Sequence, residues 1–283
     1  MKINWYPGHI AKAKNTIKEN LKLVDIVLEV RDARIPESSK PEALEKTFMG
    51  KPKLLVLNKK DLASSNLTEK WLNYYRRQGF YVSNFSKDAK KDVEKLTRLI
   101  EKCYDEGRKG RKKEKAVKVM VVGIPNVGKS TVLNQLCGRK VARTGAAPGI
   151  TRGKQLVKLK DKIHLLDTPG VLLPEYEDKE TGYKLAACEA IDIDVFPLEE
   201  ICEWLFNKLK YIVPDELADR YKFENITTFP DFLEEVGKKR GALIKGGSID
   251  YEKACKIFIQ DFNRGKLGRV CLEDLEEMGL MEG

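Results

Sequence analysis

The first sign of chemistry is a lysine and a hydroxyl set between glycines. Residues 123–131 read Gly-Ile-Pro-Asn-Val-Gly-Lys-Ser-Thr, so Gly123, Gly128, Lys129 and Ser130 fit the spacing G-x-x-x-x-G-K-[ST]. Glycines let successive backbone N–H groups curl around phosphate oxygens, and the helix that follows adds the positive end of its dipole. Lys129 is placed to reach the outer phosphates of a nucleotide and the Ser130 hydroxyl to ligate Mg²⁺, with Asn126, Val127 and Thr131 completing the binding stretch. A second cluster, Asn58-Lys59-Lys60-Asp61, fits N-K-x-D. An aspartate at its end can accept from guanine N1–H and the exocyclic amine together, where adenine offers no matching donors. Asn58 would bond the base edge and neighbouring loops, and the Lys59 stem would cover one face of the ring. A site built on buried polar pairs rejects a ligand that lacks them by a large factor. Alone, N-K-x-D carries little; beside a phosphate loop it points to guanine.

Two more groups belong to the same chemistry. Asp167-Thr-Pro-Gly170 fits D-x-x-G, with Asp167 meeting Mg²⁺ through water and the Gly170 N–H sensing a γ-phosphate. Thr151 ends a glycine- and alanine-rich loop where a switch threonine is expected, giving Mg²⁺ a hydroxyl only while γ-phosphate is present. Ser86 and Lys87 are the candidates for the backbone element beside the base.

These groups need strands that end at one edge of a sheet. Apolar runs at 24–30, 53–57, 80–85 and 117–122 read as strands, and 153–159 with 162–166 as a hairpin. Helical patterns lie between them, at 41–48, 68–78 and 92–104, after an N-terminal one with Ile10, Ala13, Ile17 and Leu21 on one face. Alternating strands and helices predict a parallel sheet covered on both faces. Residues 31–36 read as a loop, and 105–116 as a basic, glycine-containing flexible bridge. Beyond about residue 175 helices dominate, at 182–190, 199–209, 231–236 and 251–264. The expectation is therefore an α/β domain over 1–175 and a smaller all-helical domain over 176–283.

Composition narrows the partner. The 283 residues carry a formal net charge of +10 and a pI near 9.1, which favours a polyanion, nucleic acid first. Acidic residues dominate 175–235 and basic ones 237–269, where Lys238-Lys239-Arg240-Gly241, Lys245-Gly-Gly247 and Gly265-Lys266-Leu267-Gly268-Arg269 place cations in glycine-rich turns suited to an RNA backbone. No run has membrane-spanning length and no apolar leader opens the chain, so a cytoplasmic protein is expected. Six scattered cysteines without C-x-x-C are expected to be reduced.

The order of the motifs is unusual: the base-reading cluster precedes the phosphate loop, whereas ordinary GTPases have it after. A circular permutation moves the termini and leaves the spatial site intact. Here the chain resembles the circularly permuted GTPases of the YlqF (ribosome biogenesis GTPase A) type. The likeness runs through Trp5-Tyr-Pro-Gly-His-Ile, Asp32-Ala-Arg-Ile-Pro, Asn58-Lys-Lys-Asp, residues 123–130, Pro148-Gly-Ile-Thr and Asp167-Thr-Pro-Gly-Val. That resemblance implies a P-loop GTPase domain of permuted motif order, then a helical RNA-binding domain. It also implies GTP/GDP and Mg²⁺ as ligands, action on the large ribosomal subunit through its rRNA, and no membrane or DNA partner; a monomer is expected. Val171 stands where a water-orienting glutamine commonly follows D-x-x-G, so hydrolysis by the isolated chain is expected to be slow. The resemblance points to His9 as the substitute, imidazole being able to orient or deprotonate water near neutral pH. Residue type alone fits a surface or packed histidine equally well. Asn126 is tied by the same resemblance to a K⁺ ion beside the phosphates, and could equally only hold the turn. Two other readings stay open from sequence: an ATP-dependent enzyme using the same loop, and an RNA-binding assembly factor whose nucleotide is mainly structural or regulatory.

Overall fold

The computed structural model describes residues 15–45, 47–48, 50–86, 90–107, 116–139, 156–159, 163–167 and 178–280, without the side chains of 43, 156–158 and 167. His9, Lys87, Thr151 and Gly170 lie outside them. Six strands form one sheet: β1 (Ile26–Asp32), β2 (Lys53–Asn58), β3 (Tyr81–Asn84), β4 (Val117–Val122), β5 (Leu156–Leu159) and β6 (Ile163–Asp167). Their spatial order is β3-β2-β1-β4-β6-β5, with β1, β2, β3, β4 and β6 mutually parallel and β5 antiparallel to β6. The side-chain alternation explains why both faces are covered. Ile26, Leu28 and Val30 of β1, Leu54 and Val56 of β2, and Val117, Val119 and Val121 of β4 enter one core. Their neighbours point the other way, Val27, Met120 and Val122 into a second cluster with Ile17 and Leu21, and Leu55 and Leu57 into a third around Trp71.

From β1 the chain steps outward through β2 to β3, then returns to the opposite side of β1 with β4. That reversal opens a crevice between β1 and β4 at the carboxyl edge, where open parallel sheets bind ligands. The expected loop at 31–36 begins later than its sequence suggests. Arg31 and Asp32 are the last residues of β1, and Asp32 pairs in register with Asn58 at the end of β2. An acidic residue at a strand terminus has no apolar signature, yet this extra length sets Asp32 beside the base-reading turn.

Helices Ser65–Arg77 and Lys90–Gly107 cross over between the strands, and Lys129–Cys137 follows β4. The second runs past where the basic bridge was expected to begin: Asp105 and Glu106 belong to its last turn, where Glu106 accepts from the Tyr81 hydroxyl. After residue 178 come helices Lys179–Ala187, Leu198–Ile212, Pro214–Tyr221, Phe229–Arg240 and Tyr251–Asn263. The Pro214–Tyr221 helix escaped the sequence reading, although proline at its first position and Asp215 and Glu216 in its first turn are the usual start signals. Phe206, Tyr221, Phe232 and Phe258 pack together in this part, Phe206 stacked on Phe232 with centroids 4.6 Å apart and Tyr221 and Phe258 meeting Phe232 edge-on. Beyond Asn263 the chain returns to the sheet, where Cys271 and Leu275 are buried in the Trp71 cluster and the Trp71 indole donates to the Glu273 carbonyl at 3.0 Å.

Candidate guanine-nucleotide site

The phosphate loop is built on backbone geometry that few residues other than glycine tolerate. Gly123 has φ +150°, and a Cβ there would stand 2.4 Å from the Val30 carbonyl oxygen of β1. Gly128 has φ +92°, and a Cβ there would stand 2.1 Å from Asn58 Nδ2. Asn126 is left-handed at φ +56°, a conformation asparagine accepts more readily than most. Gly128 also serves as N-cap of the Lys129–Cys137 helix and supplies no side chain to cap it. A glycine N-cap puts no acceptor side chain over the first turn of that helix, which suits the approach of phosphate oxygens. Lys129 is buried and its ammonium donates to the Ile124 carbonyl at 2.8 Å, folded across its own loop. Ser130 and Thr131 lie in the first helical turn.

Asn58 joins this loop to the base-reading turn. Its Nδ2 donates to the Val127 carbonyl at 2.8 Å, while its Oδ1 is buried with no hydrogen-bond partner among the described residues. Lys59, at φ +60°, turns the chain sharply, and its ammonium pairs with Asp32 Oδ2 at 2.8 Å. Lys60 pairs with Asp92 at 2.6 Å. The half-buried Asp61 carboxylate has no such partner among the described residues. Ser86 differs from expectation. Its N–H and hydroxyl both go to Asp92, at 3.1 and 3.3 Å, so it holds its loop and its amide is spent. Asp167, the last residue of β6, pairs with Val121 of β4, which brings the D-x-x-G strand to the edge that carries the phosphate loop.

Sequence reasoning missed a set of charges next to this site. Asp32 is buried and accepts from Arg34 Nη2 at 2.9 Å and Arg34 Nε at 3.1 Å, besides Lys59. Burial alone would raise the Asp32 carboxyl; Arg34 first and Lys59 next outweigh it and hold the group well below the usual carboxylate range. A charged residue at each end of an Asp-Ala-Arg triplet, at the close of an apolar strand, is the signal that could have marked this pair. The phosphate loop has a partner of its own: Asn126 Nδ2 donates to the carbonyl of Glu189, just past the Lys179–Ala187 helix, at 2.6 Å.

Comparison with known proteins agrees with this geometry. A family model described as a 50S ribosome-binding GTPase matches residues 118–218. The chain is 38% identical over 283 residues to Ribosome biogenesis GTPase A of Priestia megaterium, covering 98% of both proteins. Among solved structures it is similar to GNP-bound YlqF from T. maritima, with a TM-score of 0.71 and 30% identity over 94% of this chain and 99% of that one. The GDP-bound form of that protein matches at a TM-score of 0.70 over 92% and 99% of the two chains. At this identity over nearly the full length of its relatives, the chain belongs to the ribosome biogenesis GTPase A (YlqF) family of GTPases.

Proposed function

We propose that the chain is a GTP-hydrolysing switch in assembly of the large ribosomal subunit, acting through rRNA. The observation that carries the nucleotide half is the bond from Asn58 to the Val127 carbonyl, which makes base reader and phosphate cradle one rigid unit. The ribosomal half rests on the relatives, which are named for ribosome biogenesis. Two units would divide the work, a GTPase domain through about residue 175 and a helical RNA-binding domain after it.

The residues fit guanine nucleotide and Mg²⁺. Ser130 would hold the metal, joined by Thr151 and through water by Asp167; Asn126 would add K⁺; Lys87 would supply the backbone amide that Ser86 has spent. Mg²⁺ supplies charge neutralisation between the outer phosphates when bound. Lys129 would leave the Ile124 carbonyl for phosphate oxygens, and the Gly170 N–H would report the γ-phosphate. With Val171 unable to orient water, His9 would take that task on the ribosomal particle.

An RNA surface is supported by the turn after the Phe229–Arg240 helix. There Lys239, Lys245, Leu243 and Ile244 are all exposed around Gly246 and Gly247, which have φ of +98° and +86°. The third basic turn is built differently: Leu267 is fully buried and a Cβ on Gly265 would meet Leu62, so only Arg264, Lys266 and Arg269 face outward, beside the base-reading turn. No helix among the described residues is long and apolar enough to cross a membrane. A cytoplasmic monomer is the state proposed.

The test is GTP turnover with and without large ribosomal subunits, in KCl and in NaCl, for wild type and His9→Ala. Stimulation by subunits that His9→Ala abolishes supports the reading, and faster turnover in KCl supports the Asn126 assignment. Equal rates in the two salts discard K⁺. Turnover indifferent to every ribosomal particle discards the partner and favours a nucleotide with a regulatory role alone.

A further inference from the structure

Asn263, the last residue of the chain's last helix, uses its amide in three bonds. Its Nδ2 donates to the Ala187 carbonyl at 2.8 Å and to the Ile259 carbonyl at 3.1 Å. Its Oδ1 accepts from Arg34 Nη1 at 2.9 Å. Two arms therefore leave Asn263. One passes through Arg34 to Asp32, whose Oδ2 is shared with Lys59 of the base-reading turn. The other passes through Ala187 to Glu189, two residues on, whose carbonyl holds Asn126 of the phosphate loop. Glu189 sits at φ +59°, a strained setting for a glutamate, so its carbonyl is aimed at some cost. The bond from Asn58 to Val127 closes the circuit. The following backbone runs the same way, Val270 N–H to the Leu62 carbonyl at 2.9 Å and Leu272 N–H to the Arg34 carbonyl at 2.8 Å.

A purely stabilising role explains this poorly. Buried ion pairs add little over apolar side chains of the same volume, because each charge loses its hydration. Arg34 is 1% exposed, stacked 5.0 Å from the Phe262 ring, and its charge is spent at the one carboxylate that also fixes Lys59.

We propose that Arg34 and Asn263 are positioning residues, through which the last helix clamps both halves of the guanine site at once. They touch no nucleotide; they set Lys59 over the base through Asp32 and set the phosphate loop through residues 187–189. The inference rests on the reading of Asn58–Asp61 as the guanine reader. It has a regulatory consequence: a partner that moves the Asn263 end changes nucleotide affinity by the same factor as nucleotide changes the partner's affinity.

The test is a double-mutant cycle on the full chain. GDP and ADP affinities are titrated for wild type, Asn263→Ala, Lys59→Ala and the double variant, with thermal unfolding of each nucleotide-free protein. Asn263→Ala is expected to weaken GDP binding roughly 5- to 20-fold. In the Lys59→Ala background that effect shrinks to about half or less on a free-energy scale, because one arm has lost its output. A merely structural Asn263 gives additive effects, or a lowered melting temperature with unchanged GDP affinity, and either overturns the clamp. Should Asn263→Ala fail to fold, hydrogen exchange on wild type decides. GDP should slow the Val270 and Leu272 amides more than those of the Phe229–Arg240 helix, and equal slowing overturns the clamp. Wild type that binds ADP as tightly as GDP defeats the guanine reading and the clamp with it; guanine preference with an additive cycle defeats the clamp alone.

Discussion

Gly128→Ala tests whether the union of base reader and phosphate loop is as tight as the geometry requires. Two costs are separable. An L-residue at φ +92° carries left-handed strain of roughly 1–2 kcal/mol. The new Cβ would also stand 2.1 Å from Asn58 Nδ2 and must expel the amide from its bond to the Val127 carbonyl. Leaving that buried carbonyl unpaired adds roughly 1–3 kcal/mol. Gly79 supplies the control, since it has φ +83° and nothing within 4 Å of its would-be Cβ. Gly79→Ala should therefore show the strain alone. Thermal unfolding without nucleotide is expected to drop by about 2–4 °C per kcal/mol for a chain near this size. Gly128→Ala should fall about twice as far as Gly79→Ala. GDP titration separates them further: Gly79→Ala keeps wild-type affinity, whereas Gly128→Ala loses on the order of 100-fold or more, because the displaced loop mis-aims donors that rigid phosphate binding requires. Equal melting losses in the two variants, or wild-type GDP affinity in Gly128→Ala, would refute the claim that Asn58 and the loop form one unit.

Asp61→Ala should weaken GDP by about tenfold or more, the worth of hydrogen bonds to a charged group, and leave ADP binding unchanged; competition titration reads the ratio. Asp32 sets an acid limit. Its folded value lies below its unfolded one, so the stability it contributes is full above about pH 4 and is lost as pH falls further. Asp32→Asn strands Arg34 and should cost about 3–5 kcal/mol at pH 7, with the gap from wild type closing in strong acid in denaturant titrations. Glu273 acts with the opposite sign. Burial raises it, against the opposing pulls of Lys184 and of Ser38 and Glu37, to which it is bonded. Its contribution is greatest in acid and fades as pH rises through its folded value, so Glu273→Gln should flatten the fall in stability that sets in above its unfolded value, without moving the Asp32 limb.

What could be read from the sequence, and what could not, follows from how each contact restricts residue type. The phosphate loop was legible because its backbone demands glycine where a Cβ would strike Val30 or Asn58, and such demands leave a spaced pattern in one stretch of chain. The sheet was legible because both its faces are buried, which demands nearly continuous apolar runs in β1, β2 and β4. Arg34 and Asn263 lie 229 positions apart and meet through one side-chain bond, which any helix ending in asparagine could offer. Val270 and Leu272 contribute only backbone N–H groups, which carry no residue signature at all. Glu189 contributes only a carbonyl, and its positive φ is visible in the fold and not in the letter.

The unread contacts share a direction. They run from the helical segment and the returning tail to the turns that would carry base and phosphates, while the chain itself leads from β6 toward the same segment. Permutation makes this economical. With Asn58–Asp61 early in the chain and the phosphate loop after it, β6 leads on toward the helices, and the chain's last turns come back onto the Asn58–Asp61 turn. On the proposed reading, nucleotide state would reach the helical surface from two ends, by covalent continuity after β6 and by the Asn263 clamp. A contact that only stabilised the fold would gain nothing from touching both motifs; one that transmits their state must touch both.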